Sequence, residues 1–302
     1  MNAANPPDHL LVFAHGKESG PWGTKITFLA EVAKARGFEV ISPDYSQQPD
    51  PDRRVEQLLA LAPRARGALV LAGSSMGGYV SAMAAGALAP DALFLIAPAL
   101  YFPGYDREPP APPALTAIVH GWGDDIVSPD KPIRYAAMHR ARLTLLDAGH
   151  TLNERLPELG DLLGALLDQA KLHAAYRQAR YVIDGDLERR IGIADATADQ
   201  ALAARGVARH WAIVTACNPL GIARDAAANR RDGEALEAAL RERGVACRPA
   251  EGRDPEGRWP AEASLLLIDP PDGVAVELGR RFGQNAIVSG TLGEAPRLVW
   301  LR

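Results

Sequence analysis

The segment around Ser75 constrains the fold more than any other part of this chain. An apolar run, residues 68–72, leads into Gly73, and a helix-compatible run, residues 78–85, follows Gly77. Glycines two positions before and after a serine let a strand turn sharply into a helix, because side chains there would block the close approach of the backbones. The first free N–H groups of the new helix then point towards the serine. This pattern predicts a nucleophilic serine at a strand-to-helix turn.

Two further candidates for acid–base chemistry follow Ser75 along the chain. Residues 118–127 contain the end of a predicted strand with Asp124 and Asp125, and residues 143–150 end the next strand with His150. An imidazole can take the proton of a serine hydroxyl, and a carboxylate can hold that imidazole in the required tautomer. The residues alone leave either aspartate open as the acid. Nucleophile, acid and base in this order are typical of the α/β-hydrolase arrangement.

With these motifs, residues 10 to about 168 resemble a small, lidless α/β-hydrolase of the serine-esterase type. The resemblance rests on four segments that each lie at the end of a predicted strand: residues 15–16, 73–78, 120–127 and 148–150. The family spacing places the acid four residues after the histidine at 120, which selects Asp124 and leaves Asp125 to solvent or to a turn. The resemblance thus implies a Ser75, Asp124 and His150 triad that cleaves carboxylic esters, with no cofactor and no metal.

An acyl-transfer site of this kind also needs donors for an oxyanion. We expect one to be the backbone N–H of Met76, next to the nucleophile, and the other to be the backbone N–H of Lys17. The Lys17 ammonium is expected to be solvated. Three aromatic residues are candidates for the walls of the substrate cleft, although ordinary packing explains the two tryptophans equally well: Trp22, Tyr101 and Trp122.

The pattern of apolar runs predicts an α/β fold. About six continuous apolar runs alternate with helical segments up to residue 172, which predicts a parallel sheet with helices on both faces. The proline-rich segment 98–114 is too short for a helical lid, so we expect an open site. Residues 173–302 do not continue this alternation. They contain five strand-like and three helix-like runs and are predicted to form a smaller α+β domain.

The second half resembles a bacterial family known as domain of unknown function 3293, which brings no known activity. The resemblance rests on residues 215–219, Asn229, residues 257–262 and residues 282–287. Six polar or aromatic residues there either line a pocket or belong to turns, and turns are the favoured interpretation: Asn218, Asn229, Trp259, Glu262, Gln284 and Asn285. Cys217 is expected to be a buried structural thiol.

Composition limits the possible partners and locations. A net charge of −4 over 302 residues gives no electrostatic reason to expect nucleic acid or an anionic membrane as a partner. Residues 1–7 lack the features of a signal peptide, and no apolar run approaches the ~20 residues that span a bilayer. Two cysteines suggest a reducing cytoplasm.

Several questions stay open at this stage. The sequence does not fix the oligomeric state. It also leaves two alternatives to an esterase that acts on a small-molecule ester. One is a binding or scaffold protein without catalysis. The other is a thioesterase or acyl hydrolase whose second domain recognises the substrate.

Overall fold

The computed structural model describes residues 6–105 and 107–301. The chain divides into two compact units between Ala174 and Ala175. The predicted boundary at residue 172 lies close to this division. Within the described ranges, every helix is too short or too polar to cross a membrane.

The first unit contains a six-stranded sheet in which every strand is parallel to its neighbours. Its strand order is β2-β1-β3-β4-β5-β6. Strands β1, β3 and β4 consist almost entirely of buried apolar residues, as a sheet covered on both faces requires. The strands are β1 (Leu10–Ala14), β2 (Glu39–Ile41), β3 (Leu69–Ser74), β4 (Ala92–Ile96), β5 (Leu115–Gly121) and β6 (Arg142–Leu146).

Helices cover both faces of this sheet. They are α1 (Thr24–Lys34), α2 (Pro51–Leu61), α3 (Met76–Leu88), α4 (Asp130–His139) and α5 (Leu156–Gln178). One core cluster contains Leu29 of α1 and Leu163 of α5, and the other contains Leu58 of α2 and Tyr79 of α3. The predicted α/β fold, with its parallel sheet between two helical layers, is confirmed.

Helix α2 begins in a polar segment of the sequence. The helix begins at Pro51, because the Asp50 carboxylate accepts hydrogen bonds from the N–H groups of Asp52 and Arg53. An aspartate cap followed by proline at the first position is a standard helix start. Because the first turn of α2 is polar, the pattern of apolar residues does not show where the helix begins.

The second unit is an α+β module around a seven-stranded antiparallel sheet, ordered β13-β12-β9-β11-β10-β7-β8. The sheet has seven strands, whereas the sequence predicts five strand-like runs. Strand β8 is only three residues long and β10 carries charged residues, proline and glycine, so neither shows as an apolar run. The strands are β7 (Arg180–Ile183), β8 (Leu187–Arg189), β9 (His210–Thr215), β10 (Cys247–Arg253), β11 (Glu262–Ile268), β12 (Ala286–Thr291) and β13 (Arg297–Trp300), and the helices are α6 (Ala196–Ala204), α7 (Ala226–Glu242) and α8 (Val274–Arg281).

Candidate active site

Ser75 occupies the tight turn between β3 and α3. Its backbone has φ 55° and ψ −120°, a strained conformation for a residue with a side chain. A Cβ atom on Gly73 would overlap the carbonyl oxygen of Gly77, and one on Gly77 would overlap the carbonyl oxygen of Ala14. Both flanking positions therefore require glycine, as the sequence motif predicts.

The surrounding backbone holds Ser75 in this conformation. Its N–H donates to the carbonyl of Ile96 at 3.0 Å, at the end of β4. Its own carbonyl accepts from Ala99 N at 3.0 Å and from Gly78 N at 2.9 Å. These hydrogen bonds connect the turn to the end of β4 and to the first turn of α3, and they stabilise the strained conformation of Ser75.

The structure brings the three predicted triad side chains together. His150 Nε2 lies 3.0 Å from Ser75 Oγ, and His150 Nδ1 lies 2.7 Å from Asp124 Oδ2. When Nδ1 carries the proton, its N–H donates a hydrogen bond to the carboxylate, and the unprotonated Nε2 can accept the serine proton. The neighbouring Asp125 is exposed, so of the two aspartates it is Asp124 that contacts the imidazole.

A dense set of donors holds Asp124 in a fully buried position. Its Oδ1 atom accepts from Ile126 N at 3.0 Å and Val127 N at 2.8 Å. Its Oδ2 atom, already bonded to His150, also lies 3.2 Å from His120 Nε2. The same His120 nitrogen donates to the Val127 carbonyl at 2.8 Å, and burial lowers the pKa of this histidine. His120 therefore stabilises the acid loop as a neutral donor.

The loops that carry the acid and the base are bonded directly to each other. Trp122 N donates to the carbonyl of Leu146 at 2.8 Å, and Gly123 N donates to the carbonyl of Ala148 at 3.0 Å. A Cβ atom on Gly121 would overlap that Ala148 carbonyl. Close backbone approach after β5 and β6 thus sets the distance between Asp124 and His150.

The two predicted oxyanion donors lie beside Ser75. Met76 is the first residue of α3, where an N–H group has no carbonyl partner within the helix. Lys17 follows Gly16 in the loop after β1, and both line the same cavity as Ser75. The Lys17 side chain is exposed, as expected. That these two N–H groups bind a developing oxyanion stays a prediction.

Arg54 of α2, which is not among the predicted site residues, fixes the loop that carries Lys17. Its buried guanidinium donates to the carbonyls of His15 at 3.3 Å and Gly16 at 3.2 Å. In a trans peptide the N–H points opposite to the carbonyl, so the Lys17 N–H points away from Arg54. A sequence signal for this role exists: Arg54 lies four residues before Leu58, about one helical turn, and therefore on the same buried face of α2.

His15 supports the same loop. Its Nδ1–H donates to the Gly16 carbonyl at 2.8 Å, and its Nε2 accepts from Tyr45 N at 2.9 Å. Burial lowers the pKa of this histidine, which favours the neutral form that both bonds require. His15 therefore holds the loop after β1 through local hydrogen bonds.

A cavity of about 620 Å³ opens beside Ser75 and His150. Its lining combines apolar residues with polar and charged ones. The apolar residues are Ile26, Met76, Ala99, Phe102, Tyr105 and Ile126, and the polar or charged side chains include Lys17, Glu18, Ser19, Thr24, Lys25, Thr151 and Asn153.

The structure differs from the prediction of the cleft walls, since Trp22, Tyr101 and Trp122 do not line this cavity. The ring of Tyr101 packs against the guanidinium of Arg134, with 4.0 Å between the guanidinium carbon and the ring centre. Trp22 and Trp122 are 50% and 59% exposed. The aromatic wall comes from Phe102 and Tyr105, which belong to the proline-rich segment that contains Tyr101.

Several polar residues of the second unit form a hydrogen-bonded network that includes Asn229 of α7 and Glu262 of β11, so these two do not belong to turns as favoured. Asn218 Nδ2 donates to Glu262 Oε1 at 2.7 Å, and Asn229 Oδ1 accepts from Asn218 N at 3.0 Å. Gln284 Nε2 donates to the carbonyl of Cys217 at 3.0 Å. The Asn285 carbonyl accepts a hydrogen bond from Leu301 N at 3.0 Å.

A small cavity of about 40 Å³ lies beside this network. Trp259, Glu262 and Gln284 are among its lining residues, whereas Asn218, Asn229 and Asn285 are not. Cys217 is buried, and burial raises the pKa of its thiol. A raised thiol pKa fits the structural role expected for this cysteine. Across residues 6–105 and 107–301, no three His, Cys, Asp or Glu side chains gather as a metal site.

Comparison with known proteins identifies the family. A model described as "Alpha/beta hydrolase family" matches residues 11–219, and one described as "Protein of unknown function (DUF3293)" matches residues 214–287. None of the curated proteins compared matches the chain.

Solved structures resemble the first half of the chain. A protein of Xanthomonas campestris assigned to the alpha/beta superfamily of hydrolases is 33% identical, over 53% of this chain and 99% of that chain, with a TM-score of 0.49. A serine hydrolase without a lid from the same organism is 25% identical, over 56% and 85%, with a TM-score of 0.42. Est1E from Butyrivibrio proteoclasticus is 15% identical, over 56% and 90%, with a TM-score of 0.48. Since the alpha/beta hydrolase model matches well over half of the sequence, this chain belongs to the alpha/beta hydrolase family.

Proposed function

We propose that this chain is a serine hydrolase that cleaves carboxylic esters of small molecules through an acyl-enzyme. The observation that carries the proposal is the continuous hydrogen-bonded path from Asp124 through His150 to Ser75 at the wall of a cavity. Membership of the alpha/beta hydrolase family supports the hydrolytic part of the proposal. A scaffold protein has no need of this complete path.

In the first half-reaction, Ser75 Oγ attacks the ester carbonyl carbon while His150 Nε2 takes the hydroxyl proton. The carbonyl oxygen becomes an oxyanion that accepts hydrogen bonds from the N–H groups of Met76 and Lys17. Collapse of this intermediate breaks the bond to the alcohol oxygen, which leaves with the proton from His150. The acyl group stays on Ser75.

In the second half-reaction, water attacks the acyl carbon and gives a proton to His150. A second oxyanion forms at the same donors, and its collapse releases the carboxylic acid and returns the proton to Ser75 Oγ. Asp124 stays ionised throughout, orients the imidazole and stabilises its positive charge. The two N–H bonds to Asp124 Oδ1 keep that carboxylate in place during both steps.

A fluorophosphonate probe tests this proposal, because an activated serine displaces its fluoride and becomes phosphonylated. We expect one label per chain, and mass spectrometry of the digested protein should locate it on Ser75. Ser74→Ala is a matched control in the adjacent position and should still be labelled, whereas Ser75→Ala should not. A label on Ser74, or no label at all, would contradict the proposal.

A further inference from the structure

Lys25 places a positive charge in the wall of the proposed active site. It lies in the first turn of α1 and lines the same cavity as Ser75 and His150. Its ammonium donates a hydrogen bond to the carbonyl of Thr151, the residue after His150. Within residues 6–105 and 107–301, no carboxylate lies within 4.0 Å of Lys25 Nζ. An ammonium carries three N–H donors, so this one keeps capacity for a ligand.

The position of Lys25 on its helix is the reverse of the usual arrangement of charges. The start of a helix carries partial positive charge, which favours acidic residues and disfavours cations. The first turn of α1 has no acidic residue, and no side chain caps this end of the helix. Helix and ammonium therefore add their positive potential on the same side of the cavity.

The titratable groups around Lys25 do not cancel its charge. Burial lowers the pKa of the Lys25 ammonium to about 8, and the more distant carboxylates of Glu154 and Asp124 offset this only in part. Glu154 also accepts a hydrogen bond from Gly149 N at 3.2 Å. The other charged side chains of the cavity are those of Lys17 and Glu18, which are exposed and of opposite sign.

We infer that Lys25 binds an anionic group of the substrate, so that the preferred substrates are esters that also carry a carboxylate. This inference rests on the proposed ester hydrolysis and names its substrate class. The apolar lining residues of the cavity, among them Phe102 and Ile126, suit the hydrocarbon part of such an ester. Lys25 is thus a specificity-determining residue of a cavity that also has apolar lining residues.

A matched pair of substrates tests the inference on the full chain. 4-Nitrophenyl hydrogen adipate carries a free carboxylate, and methyl 4-nitrophenyl adipate is its neutral analogue. We expect wild-type kcat/KM to favour the anionic ester by about 10- to 100-fold, the range for a hydrogen bond between charged groups. Lys25→Met should abolish this preference, so that kcat/KM for the anionic ester falls by at least about tenfold more than kcat/KM for the neutral ester. Lys34→Met, at the exposed end of the same helix, should keep the preference.

The pH dependence adds an independent readout. The substrate carboxylate stays ionised between about pH 6 and pH 10, because carboxyl pKa values lie near 4. The preference of the wild type should therefore be full at pH 6.5 to 7 and fade as the pH rises through about 8, where Lys25 loses its proton. Lys25→Arg should retain the preference across this range, since a guanidinium stays charged.

Two results would overturn the inference. One is an equal fall of kcat/KM for both esters in Lys25→Met, which would mean that Lys25 only positions the histidine loop through Thr151. The other is a wild type that labels at Ser75 with the fluorophosphonate and yet does not distinguish the two esters. A wild type that fails to label at Ser75 would overturn the proposed function, and the substrate class with it, so the two failures are distinguishable.

Discussion

At the scale of single residues, the strained backbone of Ser75 links stability to function. A left-handed φ of 55° with ψ −120° is unfavourable for any residue with a Cβ atom, and the contacts with Ile96 and Ala99 hold it there. The strain places the hydroxyl next to His150, where it meets the imidazole at 3.0 Å. A residue without a Cβ atom at position 75 removes both the strain and the nucleophile.

Two variants of Ser75 separate these effects. Ser75→Ala and Ser75→Gly should each lower kcat/KM for a short-chain aryl ester by at least about 10³-fold, because both remove the nucleophile. Ser75→Gly should nevertheless have the higher melting temperature, by an amount equivalent to about 1 kcal/mol, because glycine adopts positive φ freely. Thermal unfolding checks the second expectation, and a less stable glycine variant would contradict the strain.

The adjacent aspartates provide a second test at this scale. Asp124→Asn should lower kcat by about 10³-fold or more, because an amide does not favour the imidazole tautomer with the proton on Nδ1. Asp125→Asn changes an exposed neighbour and should leave kcat within about twofold. Steady-state kinetics on a neutral ester gives both values. The reverse order would assign the acid role to Asp125.

At the scale of elements, helix α2 supports the oxyanion loop through one buried cation. Arg54 binds the carbonyls of His15 and Gly16 and, through Nε, that of Gln48 at 2.6 Å. The loop after β1 is thereby tied to α2. Helix α2 thus contributes to the site, although the cavity-lining residues come from other elements.

Neighbouring arginines of α2 make a matched pair for this contact. Arg54→Met should destabilise the protein by about 2–3 kcal/mol, because buried carbonyls lose charged donors. It should also lower kcat by about 10-fold with little change in KM. The reason is that a less firmly held Lys17 N–H weakens a hydrogen bond that forms mainly in the transition state. Arg53→Met removes an exposed side chain from the same helix and should change neither quantity measurably. An unchanged kcat in Arg54→Met would show that Lys17 needs no such support.

At the scale of the whole molecule, the proposed chemistry resides in the first unit. The triad and all lining residues of the larger cavity precede residue 154, and helix α5 ends at Gln178. A fragment of residues 1–178 should therefore fold and hydrolyse a neutral aryl ester with a kcat within about threefold of the full chain. Circular dichroism and steady-state kinetics on the same sample check this. A folded but inactive fragment would mean that the second unit completes the site.

The sequence predicts the triad because its signals are local. Ser75, Asp124 and His150 each follow an apolar strand, and parallel strands bring their carboxyl ends to the same edge of the sheet. Contacts between distant segments are harder to predict. Arg54 meets the carbonyl of His15 across 39 residues of sequence, and Lys25 meets Thr151 across 126.

The cleft walls depend on the course of the loops, which apolar periodicity does not determine. Tyr101 and Phe102 are adjacent in sequence, yet only Phe102 lines the cavity. In an irregular segment the direction of each side chain follows from the local backbone conformation, so neighbouring residues can differ in whether they line the cavity. Similarly, strand β10 with its Pro249 and Gly252 pairs on both sides within an antiparallel sheet, against its low β propensity.

The most direct test of the central claim is the detection of the acyl-enzyme itself. Wild-type protein mixed briefly with 4-nitrophenyl acetate and quenched in acid should gain the mass of one acetyl group, located on Ser75 by fragmentation of the digested protein. Ser75→Ala under the same conditions should gain none at this site. An acetyl group on another residue of the wild type, or turnover of the ester with no acetylated Ser75 after rapid quenching, would contradict the proposed mechanism.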